Sequence, residues 1–124
     1  MRDRANSLRP AIEPEKTPIA DTMAALLKLK DQGMIRAIGV SNVSVNEIKE
    51  HTASGEVASD QFRSSMLLRD AEIGILPYCH EHNIAGLTYI SLEQGLPTGK
   101  IRMERTFGKN EIRSNADWNG WFIP

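Results

Sequence analysis

Three short apolar stretches of this chain each end on side chains that donate or accept hydrogen bonds. Residues 36–42 read R-A-I-G-V-S-N and close on Ser41 and Asn42; residues 57–61 close on Asp60 and Gln61; residues 84–89 close on Thr88 and Tyr89. The ends Ser41, Gln61 and Tyr89 lie 20 and then 28 residues apart. Hydroxyl, carboxamide and phenol groups hold a polar ligand by hydrogen bonds. Ile38 and Val40 alternate with Ala37 and Gly39, so both faces of the first stretch are apolar, as in a strand of a parallel sheet covered on both sides. A (β/α) barrel collects its sites at such carboxyl ends. The competing reading is a strand end closed by polar loop residues.

Other reactive types are less suggestive. Asp60, at a strand end, could serve as a base. Cys79 is the only cysteine and has no acidic or basic partner pattern, so it reads as a packed helix residue. His80 and His82 are two apart on a helix, where side chains point to different faces, which argues against shared metal ligation. No G-x-G-x-x-G or P-loop pattern occurs.

The elements between these ends are helical. Thr17-Pro18 reads as an N-cap followed by proline at the first helical position. Ile19, Met23, Leu26, Leu27 and Lys30 then fall on one stripe, and Gly33 closes the helix. Ser44 and Glu47 form a capping box for a second helix with a Val45, Ile48, Thr52 stripe that stops at Gly55. A strand is expected over 57–61, a loop over 62–69, and a third helix over 72–82. Pro77 pushes its start as late as Ile75, and Asn83 serves as its C-cap. Each gap between strand ends holds one amphipathic helix, a repeated β–α unit with strands side by side in parallel. Residues 1–16 read as an irregular arm, 17–100 as the β/α domain, and 101–124 as an irregular tail with Trp118, Trp121 and Phe122 near its end.

Composition bounds the rest. The chain has 124 residues, 40% hydrophobic and 25% charged, with formal net charge -1. That is one domain at most, with no electrostatic reason to expect nucleic acid or an anionic membrane as partner. No apolar run approaches a membrane span, and the cysteine usage suits a reducing cytoplasm.

Several motifs together carry a family signature. T-P-I-A-D-T-M-A-A-L-L-K-L-K-D-Q-G-M-I-R-A-I-G-V-S-N, A-S-D-Q at 58–61, I-L-P-Y-C at 75–79 and L-E-Q-G-L-P-T-G-K at 92–100 resemble the aldo-keto reductases, in the right order and spacing. The resemblance implies a TIM-type (β/α)8 barrel, of which this chain resembles the fifth to seventh units: about three parallel strands with outer helices. It also implies a nicotinamide cofactor, usually NADPH. By the same resemblance Ser41, Asn42 and Gln61 hydrogen-bond the nicotinamide carboxamide, and the ring stacks on Tyr89. Leu92, Gln94 and Lys100 belong to the loop around the pyrophosphate, with Arg113 closing over the same phosphates.

The family's reduction uses an aspartate, a tyrosine, a lysine and a histidine from the barrel's other half, and no residue here matches them. The chain departs from the family at Ile90-Ser91, where relatives read S-P, at Ser64, where they carry tyrosine, and at Pro97, where they carry leucine. The chain therefore reads as a truncated barrel that is inactive alone and binds the cofactor weakly or not at all. Its alternatives are a non-catalytic nicotinamide-nucleotide-binding module or a fragment completed by a partner. A three-stranded sheet covered by helices on one face would leave Ile38, Val40, Leu87 and Tyr89 partly against water. The isolated chain is thus expected to self-associate, pair with another barrel fragment or stay partly molten. A sharp monomer in sedimentation, with fixed near-ultraviolet circular dichroism, is the contrary result.

Overall fold

The computed structural model describes residues 5–8, 17–102, 105–109 and 111. Among them four parallel strands lie side by side in chain order: β1 (Ala5–Leu8), β2 (Ile35–Ser41), β3 (Ser59–Arg63) and β4 (Ala85–Tyr89). The helices α1 (Ile19–Asp31), α2 (Val45–Ser54) and α3 (Ile75–Glu81) fill the three intervals, giving a segment of a (β/α) barrel. The three strands expected from the sequence are present. The fourth corrects the reading of 1–16 as wholly irregular: Ala5–Leu8 pairs in parallel with β2, Ala5 opposite Ile35 and Leu8 opposite Ile38.

The helix ends follow local chemistry. At α1 the frame sits one residue later than expected, with Pro18 rather than Thr17 at the N-cap, because the first helical bond runs from the Thr22 N–H to the Pro18 carbonyl. Its other end is a Schellman motif: Gly33 N–H donates to Lys30 O at 2.9 Å and Met34 N–H to Leu29 O at 3.0 Å, with Gly33 at φ +66°. The Ser44–Glu47 capping box is present, Ser44 Oγ accepting from the Glu47 N–H at 3.3 Å while Glu47 Oε2 accepts from the Ser44 N–H at 2.6 Å. Gly55 ends α2 in extended backbone. A Cβ there would lie 2.9 Å from Leu27 Cδ1, so its bare backbone lets α1 pack against α2.

Other boundaries move, among them the start of β3, at Ser59 rather than Val57. Strand β3 runs to Arg63 instead of ending at Gln61, because β4 continues beside it and pairs Phe62 with Thr88 and Arg63 with Tyr89. Helix α3 begins at Ile75, the late start that Pro77 imposed, since proline is tolerated in a first turn where its missing N–H has no intrahelical partner. A 3-10 turn, Asp70–Glu72, precedes it. Asn83 at φ +56° follows α3, the Asn83 N–H donating to His80 O and the Ile84 N–H to Cys79 O at 2.8 Å, a second Schellman motif.

The core lies between sheet and helices. Met23 and Leu26 of α1, Ile38 and Val40 of β2 and Ile48 of α2 are buried there. Each such side chain contributes about 1.5–3 kcal/mol on leaving water. Ile38 and Val40 are 1% and 0% exposed on the helix side. This overturns the expectation that they would face the barrel interior: alternation over this part of β2 sends Ile38 and Val40 to the helices and Ser41 to the other face.

Nothing stands within 4 Å of a Cβ placed on Gly33, so the cost of a side chain there is backbone strain alone. Gly33→Ala is expected to destabilise by about 1 kcal/mol, and Gly33→Asn by less, since asparagine tolerates the left-handed region. Urea unfolding of the two variants checks the order.

Candidate functional site

Strands β2, β3 and β4 share a register that sorts their side chains into two sets. Val40, Asp60 and Gly86 lie in one row, Ser41, Gln61 and Leu87 in the next, and Arg63 pairs with Tyr89 two residues further on. Asp60 and Phe62 are buried and belong to the helix face; Ser59, Gln61 and Arg63 are half-buried and belong to the opposite, barrel-interior face. Ser41, Gln61 and Tyr89 therefore share the interior face at the carboxyl edge of the sheet.

Hydrogen bonds tie these residues together. Ser41 Oγ donates to the Gln61 carbonyl at 3.0 Å, and the Asn42 N–H donates to the same oxygen at 2.9 Å. Asn42 sits at φ +55°, a conformation asparagine accepts more readily than most residues. Its Oδ1 accepts a 2.7 Å hydrogen bond from the Tyr89 hydroxyl. That bond crosses β3, since β2 and β4 are not neighbours, and fixes the tyrosine ring at the sheet edge.

Beyond Tyr89 the chain makes tight 3-10 turns over Glu93–Thr98, broken by a kink at Gln94 and Gly95, whose backbone is not helical. Ile90, Glu93 and Gln94 have φ of +54°, +41° and +51°. Leu92 and Lys100 are exposed and Gln94 is half-buried. Thus Ser41, Asn42, Gln61 and Tyr89 come together, while Leu92, Gln94 and Lys100 line the adjoining loop. Arg113 lies outside the described residues, as do Trp118, Trp121 and Phe122. The described part of the expected tail, at 101–102, 105–109 and 111, carries no helix or strand.

Three residues at this edge were not anticipated from the sequence. Glu93 is 1% exposed, its Oε2 accepting from Arg63 Nη2 at 2.6 Å and its Oε1 from Ser65 Oγ at 2.7 Å. Burial pushes the Glu93 carboxyl up, but the hydrogen bonds from Arg63 and Ser65 and the charge of Arg63 together outweigh it and hold the group below the ordinary carboxylate range. The partners lie 30 and 28 positions away, so no local pattern announces the pairing.

The remaining candidates lie on the helix side. Cys79 is buried in the core, its thiol pushed up by burial and by the Asp60 carboxylate. His82 stacks on Tyr78 with ring centroids 3.9 Å apart, and His80 is exposed. His51 is wholly buried, its Nδ1 donating to the Glu47 carbonyl at 2.7 Å.

Asp60 points away from Ser41, Gln61 and Tyr89, so it is no base for a ligand on the interior face. It is 0% exposed, and neither carboxylate oxygen has a hydrogen-bond partner among the described residues. Burial pushes its carboxyl up to about 6, with a smaller opposing influence from the Gln61 backbone. Between its ordinary value of 3.8 and about 6 the folded state binds a proton that the unfolded chain releases. Stability therefore falls as pH rises through that window, by up to about 3 kcal/mol. Asp60→Asn is expected to raise the melting temperature at pH 7 and to have little effect at pH 4. Melting curves across that range check it, and an equal gain at both pH values counts against the assignment.

The comparisons with known proteins agree with this fold. A sequence model described as the Aldo/keto reductase family matches residues 6–121. The NADH-specific methylglyoxal reductase of Escherichia coli K12 is 41% identical over 108 residues, covering 87% of this chain and 32% of that protein. Aldo-keto reductase YhdN of Bacillus subtilis is 37% identical over 98 residues, covering 79% of this chain and 30% of that one. The solved glycerol dehydrogenase of Gluconobacter oxydans matches with a TM-score of 0.82 at 35% identity, over 90% of this chain and 35% of its own. The chain thus spans about a third of the length of these relatives. With the family match extending over nearly all of its sequence, and its strands and helices matching those of a solved relative, the chain belongs to the aldo/keto reductase family.

Proposed function

We propose that this chain forms the nicotinamide-facing segment of an NAD(P)H-dependent carbonyl oxidoreductase. The observation that carries the reading is the Tyr89–Asn42 hydrogen bond of 2.7 Å, which closes a polar corner over the end of β3. The donor set fits a carboxamide. With Asn42 Oδ1 engaged by Tyr89, its Nδ2 hydrogens are the group left to meet a carbonyl oxygen, and the Ser41 oxygen keeps lone pairs for an amide N–H. The Tyr89 ring, held by its hydroxyl, offers a face on which an aromatic ring stacks. Leu92, Gln94 and Lys100 lie along the adjoining loop toward the phosphates, and Arg113 is assigned to the same end by resemblance.

When bound, the reduced nicotinamide supplies hydride to a carbonyl carbon. This chain's own residues orient the ring and exclude water from one side of it. Neither of its two tyrosines is placed to give a proton to a carbonyl oxygen: Tyr78 stacks on His82 at α3, and the Tyr89 hydroxyl is engaged by Asn42. A complementary barrel segment carrying the proton donor is the partner this reading requires. It would also cover the half-exposed Gln61, Arg63, Leu87 and Tyr89.

The chain alone is expected to bind NADPH or NADH weakly and to reduce no carbonyl substrate, since general acid catalysis and positioning each supply about a hundredfold or more. Gln61→Ala should weaken binding by about 0.5–1.5 kcal/mol, the worth of one neutral hydrogen bond. Fluorescence titration with each nucleotide measures this. No interaction at millimolar nucleotide, or turnover by the purified chain alone, defeats the corresponding part of the proposal.

A further inference from the structure

Glu93 belongs to the loop after β4, yet its carboxylate is spent on the loop after β3. One oxygen accepts from Arg63, at the end of β3, and the other from Ser65, two residues on. Ser65 Oγ in turn accepts from the backbone N–H groups of Leu67 at 3.1 Å and Leu68 at 3.0 Å, so the same carboxylate braces the turn that opens the β3–α3 connection. Charge-assisted bonds of this length are the strong ones among hydrogen bonds. The loop they hold has reason to move. Ile90, Glu93 and Gln94, none of them glycine, all occupy the left-handed region, which persists only where surrounding structure over-determines it. Its backbone bonds include two short turns, Glu93 N–H to Ile90 O and Gly95 N–H to Leu92 O, each at 2.8 Å.

We propose that Glu93 is a positioning residue: through Arg63 and Ser65 it clamps the loop at 90–99 to the end of β3, presetting Leu92, Gln94 and the approach to Lys100 for the pyrophosphate of a dinucleotide. The clamp rests on the geometry alone, whereas the ligand named rests on the nicotinamide-nucleotide reading. Arg63 is drawn into the clamp and is not itself a phosphate ligand. Arg63 pairs with Tyr89 along the β3–β4 ladder, but that contact is backbone pairing, and the clamp's side-chain bonds run to Glu93 and Ser65 and not to Ser41, Asn42 or Tyr89, so the two ends of the ligand should respond differently.

The test uses the full chain with Glu93→Gln and Arg63→Met, singly and together. Amide hydrogen exchange over 90–99 is expected to accelerate by about tenfold or more in each single variant, with β2, β3 and β4 unchanged. Binding of NADH and NADPH should weaken by about tenfold, consistent with losing a charge-assisted bond, and the double variant should be no worse than either single one. Nicotinamide mononucleotide, which lacks the pyrophosphate, should change by less than about twofold by the same reasoning. Unchanged exchange over 90–99 overturns the clamp, and a mononucleotide weakened as much as the dinucleotides overturns its role in presenting the pyrophosphate loop. A wild-type chain that binds neither dinucleotide overturns the ligand assignment, an outcome the exchange rates separate from failure of the clamp.

Discussion

In the parallel register shared by β2, β3 and β4, Val40, Asp60 and Gly86 form one row and Ser41, Gln61 and Leu87 the next. Side chains in a strand alternate between faces, so this pairing fixes which groups meet the helices and which meet the barrel interior. A slip of one residue in β3 would bury Gln61 beneath α3 and turn Asp60 to the interior. The register is held from the apolar side, where Ile38, Val40 and Phe62 are all at most 4% exposed. It is also held at the polar edge, where Ser41 Oγ and the Asn42 N–H both bond the Gln61 carbonyl. The polar corner is thus a by-product of the same pairing that builds the core.

The connections deliver each strand at the right height because the helices stop sharply. Two Schellman motifs, at Gly33 and Asn83, turn the chain back onto the sheet within two residues of α1 and α3. The capping box at Ser44 starts α2 two residues after Asn42, which leaves Asn42 as the bend between strand and helix. Its left-handed conformation follows from that brevity, and the same bend carries its carboxamide to Tyr89.

How much of this was legible in the sequence depended on whether the signal was local. Caps, glycines and the apolar stripes of α1 and α2 are fixed by neighbours within a few residues, so the helices were readable to within about a turn. Residues 5–8 carry no pattern of their own and become a strand by pairing with Ile35–Ser41, a partner 30 residues away in sequence that composition does not reveal. The end of β3 moved for a related reason: Phe62 and Arg63 are strand because β4 runs alongside them. Among site residues, Ser41, Asn42, Gln61 and Tyr89 were visible as polar ends of apolar runs. Glu93 and Arg63 lie 30 residues apart, so no local pattern announced their pairing.

The polar edge and the sheet behind it are where the protein departs from what stability alone would select. Asp60 is buried without a hydrogen-bond partner among the described residues, and four non-glycine residues around the corner, Asn42, Ile90, Glu93 and Gln94, hold positive φ. Left-handed backbone at such residues costs roughly 1 kcal/mol or more each. Concentrated at one end of a sheet whose opposite face is packed with Ile38, Val40 and Ile48, that cost is local and the core offsets it. The two buried carboxylates illustrate the two outcomes. Glu93 is matched by Arg63 and Ser65 and stays ionised; Asp60 lacks such a match, and its carboxyl is pushed up toward neutrality. Only the first ties two loops together, through Arg63 on the same face of the sheet as Ser41, Gln61 and Tyr89.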